Sequence, residues 1–299
     1  MFIYSKHFSF DWDKHIFPVD KYRLVFERIQ SEGIAKPGEI FAPEPAKTED
    51  ITLVHTPDYL RRLYRLAESP SLGILEFEAP LTKQTLLSVM YHTGGTILAV
   101  KTAVSRKLAV INIGGGFHHA YSDRGGGFCF INDVAVAIRW AQKSGLLKTC
   151  IVVDLDLHQG NGTAKIFEGD PSVFTFSMHQ EHLYPRKEKS GLDIGLPDFI
   201  RDDQYLSVLS ENLSPLLDAQ KYDLLIYLAG ADPFEGDQIG SLKLTKQGLA
   251  KRDEIVLAEA KKRSIPVAVT LGGGYAYKVE DVVDIHVATC REVRRFNFG

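Results

Sequence analysis

The sequence is poor in cysteine and has no long hydrophobic run. Its 299 residues include three cysteines, Cys129, Cys150 and Cys290, which are too few and too scattered for a disulfide framework or a cysteine zinc site. Nowhere do about 18 apolar residues run together, and the first residues lack the apolar core of a signal peptide. These absences predict a protein of a reducing compartment, either the cytoplasm or, in a eukaryotic host, the nucleus.

The sequence also has little net charge and no segment that reads as a linker. Its 35 basic and 38 acidic residues give a formal charge of −3, which provides no general attraction to nucleic acid or to anionic lipid. We therefore expect neither nucleic acid nor a membrane as a direct partner. No Ser/Pro-rich stretch or charge block divides the chain, so we predict one domain over residues 1–299. The oligomeric state has no signature in the sequence.

Short apolar runs rich in valine and isoleucine alternate with helical patterns, which predicts an α/β fold whose central, mostly parallel sheet carries helices on both faces. The predicted strands are 108–113, 150–155, 173–176, 224–228 and 266–271. The predicted helices are 20–29, 56–66, 83–104, 132–143, 205–217 and 247–262. The segment 67–82 has no clear period and contains prolines, so it predicts a surface loop that borders a cleft.

The unusual residues of this sequence follow the predicted strands. Open parallel sheets bind ligands beyond the carboxyl ends of their strands, so these segments are expected to form one composite site. In chain order they are Gly114 to His119, Asp156 to His158, Ser177 to His179, Ala229 to Asp232 and Gly272 to Tyr275.

Asp154, Asp156 and His158 alternate with leucines, and a period of two points all three side chains to one side of a strand. Any one of them is more often a cap or a satisfied polar residue. Together they are expensive to bury without a cation, so we predict a divalent metal held by Asp156 and His158, with Asp232 as the third ligand. Asp154 is expected either to accept a proton from a neighbouring imidazole or to bind a monovalent cation with Ser177.

His118 and His119 follow three glycines and are candidates for proton transfer, because the pKa of imidazole suits this role near neutral pH. A histidine bonded to Asp154 has its cation favoured, whereas one that faces the amide of Asn161 is more easily deprotonated. Tyr275 is a candidate donor to an oxyanion. The alternatives, a surface turn and an aromatic packed beside a turn, stay open. The triple-glycine stretches do not have the spacing of phosphate-binding loops.

Four segments carry a resemblance to a known family. INIGGGFHHAYSDRGGGFCFIND, VVDLDLHQGNGT, LAGADPFEGD and LGGGY occur in the order and approximate spacing of the histone deacetylase family, which has an arginase-like α/β fold. The chain most resembles the class IV members and their bacterial relatives. Asn161 stands where class I enzymes usually have an aspartate, which agrees with the class II and class IV patterns and alters the expected basicity of His119.

The resemblance implies a role for each residue of the composite site. It assigns one zinc ion to Asp156, His158 and Asp232, proton transfer to His118 and His119, and carbonyl polarisation to Tyr275. It also implies that Asp154 orients His118, that Asn161 contacts His119, and that Gly127 and Phe128 line a narrow tunnel for the substrate chain. A structural potassium site would use Asp154, Ser177 and the backbone carbonyls of Asp156, His158 and Met178.

The implied activity is zinc-dependent hydrolysis of the amide between an acyl group, acetyl or longer, and the ε-amine of lysine in a protein or peptide. Acetylated polyamines and other small amides are the alternative substrates. An arginase-like enzyme with two manganese ions is a rival that needs more carboxylates than the sequence offers. An acyl-lysine reader without turnover is the non-enzymatic rival, and retention of both histidines and Tyr275 argues against it.

Overall fold

The computed structural model describes residues 1–10, 12 and 15–298, and its centre is a parallel sheet. The strands are β1 (Phe2–Ile3), β2 (Ile40–Phe41), β3 (Ala109–Asn112), β4 (Cys150–Asp154), β5 (Val173–Gln180), β6 (Leu192–Leu196), β7 (Leu224–Leu228) and β8 (Val267–Thr270). They lie in the order β2-β1-β3-β8-β7-β4-β5-β6, and each adjacent pair is parallel. The α/β fold with a parallel sheet is confirmed.

Helices connect the strands. They are α1 (Lys21–Ser31), α2 (Thr48–Ile51), α3 (Pro57–Ala67), α4 (Pro70–Phe77), α5 (Lys83–Arg106), α6 (Asp133–Lys143), α7 (Asn161–Ile166), α8 (Asp202–Ala219), α9 (Lys246–Lys262) and α10 (Val279–Phe298). Side-chain caps fix the starts of several of them: Thr56, Thr82, Asn132 and Thr245 each accept the backbone N–H three residues further on. The predicted starts of these four helices lie within one residue of the observed starts.

Alternate residues of each central strand pack into two different hydrophobic cores. In β4, Ile151 and Val153 face the core beneath α1, α8, α9 and α10. Cys150 and Val152 face the core beneath α5 and α6. Because both faces of the sheet are covered, the strands read as nearly continuous apolar runs, and the polar residues are displaced to the strand ends.

Two sequence predictions were wrong in detail. The segment 67–82 contains α4, because Phe77 is fully buried and Gly73 packs against Leu81; tertiary burial outweighs the weak local pattern. β5 does not end at residue 176. It continues to Gln180 because β6, a strand that the apolar runs did not reveal, extends the ladder from Phe176 opposite Leu192 onward.

No helix in the described part of the chain is both long enough and apolar enough to span a membrane.

Candidate active site

The predicted metal ligands lie in the turns beyond β4 and β7. β4 ends at Asp154, so Asp156 and His158 are not on a strand and strand alternation does not bring them together. Instead, the side chain of each aspartate accepts the backbone N–H of the residue two positions further on. Asp154 Oδ1 accepts the N–H of Asp156 at 3.2 Å, and Asp156 Oδ1 accepts the N–H of His158 at 3.0 Å. These side-chain-to-backbone turns direct Asp156 and His158 toward one point.

Asp156, His158 and Asp232 offer ligand atoms that all lie within 4.8 Å of one another, and the three side chains are buried. Nδ1 of His158 is 3.2 Å from Oδ1 of Asp156 and 3.3 Å from Oδ2 of Asp232. Oδ2 of Asp232 is buried and has no hydrogen-bond partner. A buried carboxylate oxygen without a donor is costly, and a cation would satisfy it. The donor set therefore fits a divalent ion, and no second group of this kind occurs among the described residues.

The two consecutive histidines are both buried at this edge but have different partners. Nδ1 of His118 is 2.7 Å from Oδ2 of Asp154, and Nδ1 of His119 is 2.8 Å from Oδ1 of Asn161. Nε2 of His118 is 3.7 Å from Oδ1 of Asp156. Both contacts implied by the family resemblance, Asp154 with His118 and Asn161 with His119, are present.

These partners shift the pKa values of the two histidines in opposite directions. Burial alone would lower the pKa of His118, but the charges of Asp154 and Asp156 outweigh it and raise that pKa to about 9. Burial lowers the pKa of His119 well below its usual range, and the nearby His118 and His158 lower it further. The pair therefore offers one charged and one neutral imidazole at neutral pH.

Tyr275 follows a glycine turn that packs directly on the predicted metal ligands. The N–H of Gly273 donates to Oδ2 of Asp156 at 2.7 Å. A Cβ at Gly273 would lie only 2.2 Å from Oδ2 of Asp232, so this close approach requires glycine. The ring of Tyr275 contacts that of His158, with centroids 6.5 Å apart. Burial raises the pKa of the Tyr275 phenol well above its usual range, which keeps the hydroxyl protonated as a donor.

A narrow cavity leads to this group of residues. Its lining includes Gly127, Phe128, both histidines, Asp156 and Tyr275, as expected of the tunnel residues. Gly127 has φ of +52°, and a Cβ there would lie 2.5 Å from the ring of His119. The N–H of Phe128 donates to the carbonyl of Phe77 at 3.0 Å, so α4 borders the cleft as predicted for this segment.

Three of the residues predicted for potassium lie close together. Asp154 and Ser177 are opposite each other in the β4–β5 ladder, and Met178 is buried next to Ser177. The hydroxyl of Ser177 is 2.9 Å from Nδ1 of His179. A potassium ion at this place stays a prediction.

Three buried residues that support the site had not been predicted. Asp237 accepts the N–H of Tyr275 at 2.8 Å. Lys21 donates to the carbonyl of Gly272 at 2.8 Å, and Arg252 donates to the carbonyls of Leu155 and Gly230 at 3.2 and 2.7 Å. Asp237 could have been predicted, because it falls in the LAGADPFEGD motif. No sequence pattern indicated Lys21 or Arg252, because their partners are backbone carbonyls far away in sequence.

Comparison with known proteins agrees with this geometry. Residues 15–290 match the family model described as "Histone deacetylase domain". The chain is 40% identical to an uncharacterized protein of Picosynechococcus, with 94% of each chain covered. It is 33% identical to Histone deacetylase 2 of Arabidopsis thaliana, over 87% of this chain and 70% of that one. A solved structure of an HDAC homolog complexed with SAHA has the same fold, with a TM-score of 0.84, 23% identity and 98% and 83% coverage. The chain belongs to the histone deacetylase family, a family of deacetylase hydrolases.

Proposed function

We propose that the protein is a zinc-dependent hydrolase that removes an acyl group from the ε-amine of lysine in proteins or peptides. The observation that carries the proposal is the buried group of Asp156, His158 and Asp232, placed beside a buried phenol and two histidines, one bonded to a carboxylate and one to an amide. An amide hydrolase needs these functions together: an electrophilic centre, a base, an acid and an oxyanion donor.

The donor set is the one that catalytic zinc uses, with three protein ligands from carboxylate and imidazole and a further position for water or substrate. When bound, zinc would supply a Lewis acid that polarises the amide carbonyl and lowers the pKa of water. Oδ2 of Asp232 supports this assignment, because it makes no hydrogen bond although it is buried and lies 3.3 Å from Nδ1 of His158.

Three residues then carry out the separate steps of proton transfer and hydrogen bonding. His119, whose lowered pKa leaves it neutral, takes a proton from the attacking water. The Tyr275 hydroxyl donates to the oxygen that becomes negative when water adds to the carbonyl. His118, held as a cation beside Asp154, gives a proton to the amine nitrogen as the carbon–nitrogen bond breaks. The products are a carboxylate and free lysine.

The shape of the cavity supports an acylated lysine as the substrate. Its walls are built by Gly127, Phe128 and Tyr275, and the Phe128 and Tyr275 rings are 6.0 Å apart. Two aromatic side chains on a narrow passage suit an extended methylene chain such as that of lysine, which has no polar group between its backbone and its amine.

Tyr275→Phe tests the proposal most directly, because it removes a hydroxyl and little volume. Turnover of an acetyl-lysine peptide should fall by about 10²- to 10³-fold, as for the loss of an oxyanion donor. Zinc content and thermal stability should match the unsubstituted protein. Tyr64→Phe, at an exposed tyrosine of α3, is the matched control. Normal turnover in Tyr275→Phe would show that the assigned role is wrong.

A panel of acyl-lysine peptides from acetyl to myristoyl, with acetylated polyamines beside them, identifies the substrate class. We expect kcat/KM to be highest for a peptide. A preference for the polyamines would keep the hydrolase and overturn the lysine assignment. Zinc binding without turnover of any member of the panel would instead indicate a reader.

A further inference from the structure

We propose that Glu188, acting through Tyr121 and Asn161, holds His119 in the neutral tautomer whose Nε2 is free to accept a proton. Tyr121 and Glu188 are thus positioning residues that do not touch the substrate. The inference rests on the proposed function for the role of His119 as the base. The tautomer itself is a separate property of the protein and can be measured without turnover.

The three residues form a continuous chain of hydrogen bonds with His119. Nδ1 of His119 is 2.8 Å from Oδ1 of Asn161. Nδ2 of Asn161 donates to the Tyr121 hydroxyl at 2.9 Å, and that hydroxyl donates to Oε1 of Glu188 at 3.2 Å. His119 and Asn161 are buried, whereas a quarter of the Glu188 side chain is exposed. The chain therefore runs from the base to the protein surface.

Of the four groups in this chain of hydrogen bonds, only the carboxylate of Glu188 cannot exchange the roles of donor and acceptor. Imidazole, amide and phenol can each donate and accept, but a carboxylate only accepts. Because Glu188 accepts, the Tyr121 hydroxyl donates to it and its oxygen accepts from the amide nitrogen of Asn161. The carbonyl oxygen of Asn161 then faces His119, so Nδ1 of His119 carries the hydrogen. A neutral imidazole with hydrogen on Nδ1 has its lone pair on Nε2.

Glu188, at the end of the hydrogen-bond chain, is held in place by hydrogen bonds between its backbone and the side chain of Gln159. The N–H of Glu188 donates to the side-chain oxygen of Gln159 at 2.8 Å, and its carbonyl accepts from the Gln159 amide at 2.7 Å. The guanidinium of Arg124 lies over the Tyr121 ring, 3.7 Å from its centroid. These contacts confine the two residues that set the direction of the chain.

Asn161 alone, as a neutral amide, cannot select one tautomer of His119, whereas the complete hydrogen-bond chain can. An isolated amide presents either its oxygen or its nitrogen to the imidazole, and the reversed orientation would place a lone pair on Nδ1 and the proton on Nε2. Such a histidine could not act as the base through Nε2. The carboxylate of Glu188, two hydrogen bonds away from Asn161, removes this ambiguity.

The test uses the zinc-loaded protein labelled with ¹⁵N-histidine, whose nitrogen shifts distinguish the two tautomers. His119 should show a protonated Nδ1. In Tyr121→Phe the chain is broken, and in Glu188→Gln it can run in either direction, so both variants should show the other tautomer in a substantial fraction. Turnover should fall in proportion to the fraction of His119 that leaves this tautomer, by about twofold for an equal mixture, with KM and zinc content unchanged.

Glu168→Gln is the control, since Glu168 pairs with Lys165, a lysine that also lies 4.0 Å from Glu188. Like Glu188→Gln, this variant removes one negative charge near Lys165, but Glu168 does not contact Tyr121. It should therefore leave the tautomer of His119 and the turnover unchanged. If His119 keeps its Nδ1 proton and normal turnover in both test variants, the inference is wrong. If His119→Ala retains normal turnover, the proposed role of His119 as the base is wrong, while the nitrogen shifts of the unsubstituted protein still decide the tautomer.

Discussion

The buried histidines of this protein fall into two groups that burial alone does not distinguish. His118 lies at the site edge of the sheet beside Asp154, and its pKa is raised to about 9 because the carboxylates outweigh the effect of burial. His55 and His92 are not among the candidate site residues and have uncharged hydrogen-bond partners, and burial lowers their pKa values to about 4 and about 3. His119 belongs with the second group by its pKa, although it lies at the site.

The comparison shows that the nearest partner decides the charge of a buried imidazole. All four rings are almost completely removed from water. A carboxylate at hydrogen-bond distance stabilises the cation, whereas an amide or a backbone group does not. The site therefore holds one charged and one neutral imidazole on adjacent residues, because the two histidines have different partners.

The largest expected effect comes from removing a metal ligand. Asp232→Ala should lose zinc, and turnover should fall by roughly three orders of magnitude or more, because both water activation and carbonyl polarisation depend on the metal. Metal analysis and an acyl-lysine assay measure the two effects. Asp58→Ala, at an aspartate whose side chain is 87% exposed, serves as the control. A full zinc complement in Asp232→Ala would refute the ligand assignment.

Asp154→Asn should convert the surroundings of His118 into those of His119. The isosteric amide removes the charge that favours the His118 cation, so turnover should fall by about 10- to 100-fold while zinc is retained. Steady-state kinetics on protein of verified zinc content would show it. Unchanged turnover would mean that His118 does not act as the acid.

The reverse change, Asn161→Asp, should make His119 resemble His118. A carboxylate at 2.8 Å from Nδ1 of His119 should raise its pKa by about one to three units. Because the base must be deprotonated, the acidic limb of the kcat/KM profile should move to higher pH by the same amount. A profile that stays in place would indicate that His119 is not the group that titrates.

The smallest effect concerns His55 and His92, two buried histidines that are not candidate site residues. Their folded pKa values lie below the unfolded value of about 6.5, so the unfolded state binds more protons as pH falls below that value. The stability they provide is present above pH 6.5 and is lost toward pH 4, at up to about 1.4 kcal/mol per pH unit for each residue. His92→Gln, in which no imidazole needs to stay neutral, should reduce this slope in urea unfolding at several pH values.

His182→Gln, at an exposed histidine, is the control for that slope. An equal slope in His92→Gln and the unsubstituted protein would contradict the assignment. The hydrogen bond from the N–H of Gly115 to Nδ1 of His92, 3.1 Å long, gives the physical reason for the effect, because a protonated Nδ1 cannot accept it.

Much of the fold was predictable because its central strands are buried on both faces. β4 and β7 were predicted to within one residue, since apolar runs of this length are typical of covered parallel strands. β1, β2 and β6 were not predicted. The first two are only two residues long, and β6 is partly exposed, so neither length nor hydrophobicity marked them.

The site was predictable to a similar extent and for a different reason. Chemically unusual residues at strand ends indicated Asp156, His158 and Asp232 before any geometry was known, and the structure brings them together. The reason given for their convergence was wrong, because turns rather than a strand orient Asp156 and His158. In this sequence, the type of residue at a strand end predicted the site, whereas the predicted backbone conformation of those residues was wrong.

By itself, the sequence determined the alternation of strands and helices, the edge of the sheet at which the chemistry lies, and the residues that reach it. These properties follow from local patterns and from the topology of a parallel sheet. Only the tertiary structure decided how far the pKa of each histidine is shifted and how each side chain is supported. Such contacts join residues such as Lys21 and Gly272, 251 positions apart, and their energies depend on distance and burial, which have no local counterpart in the chain.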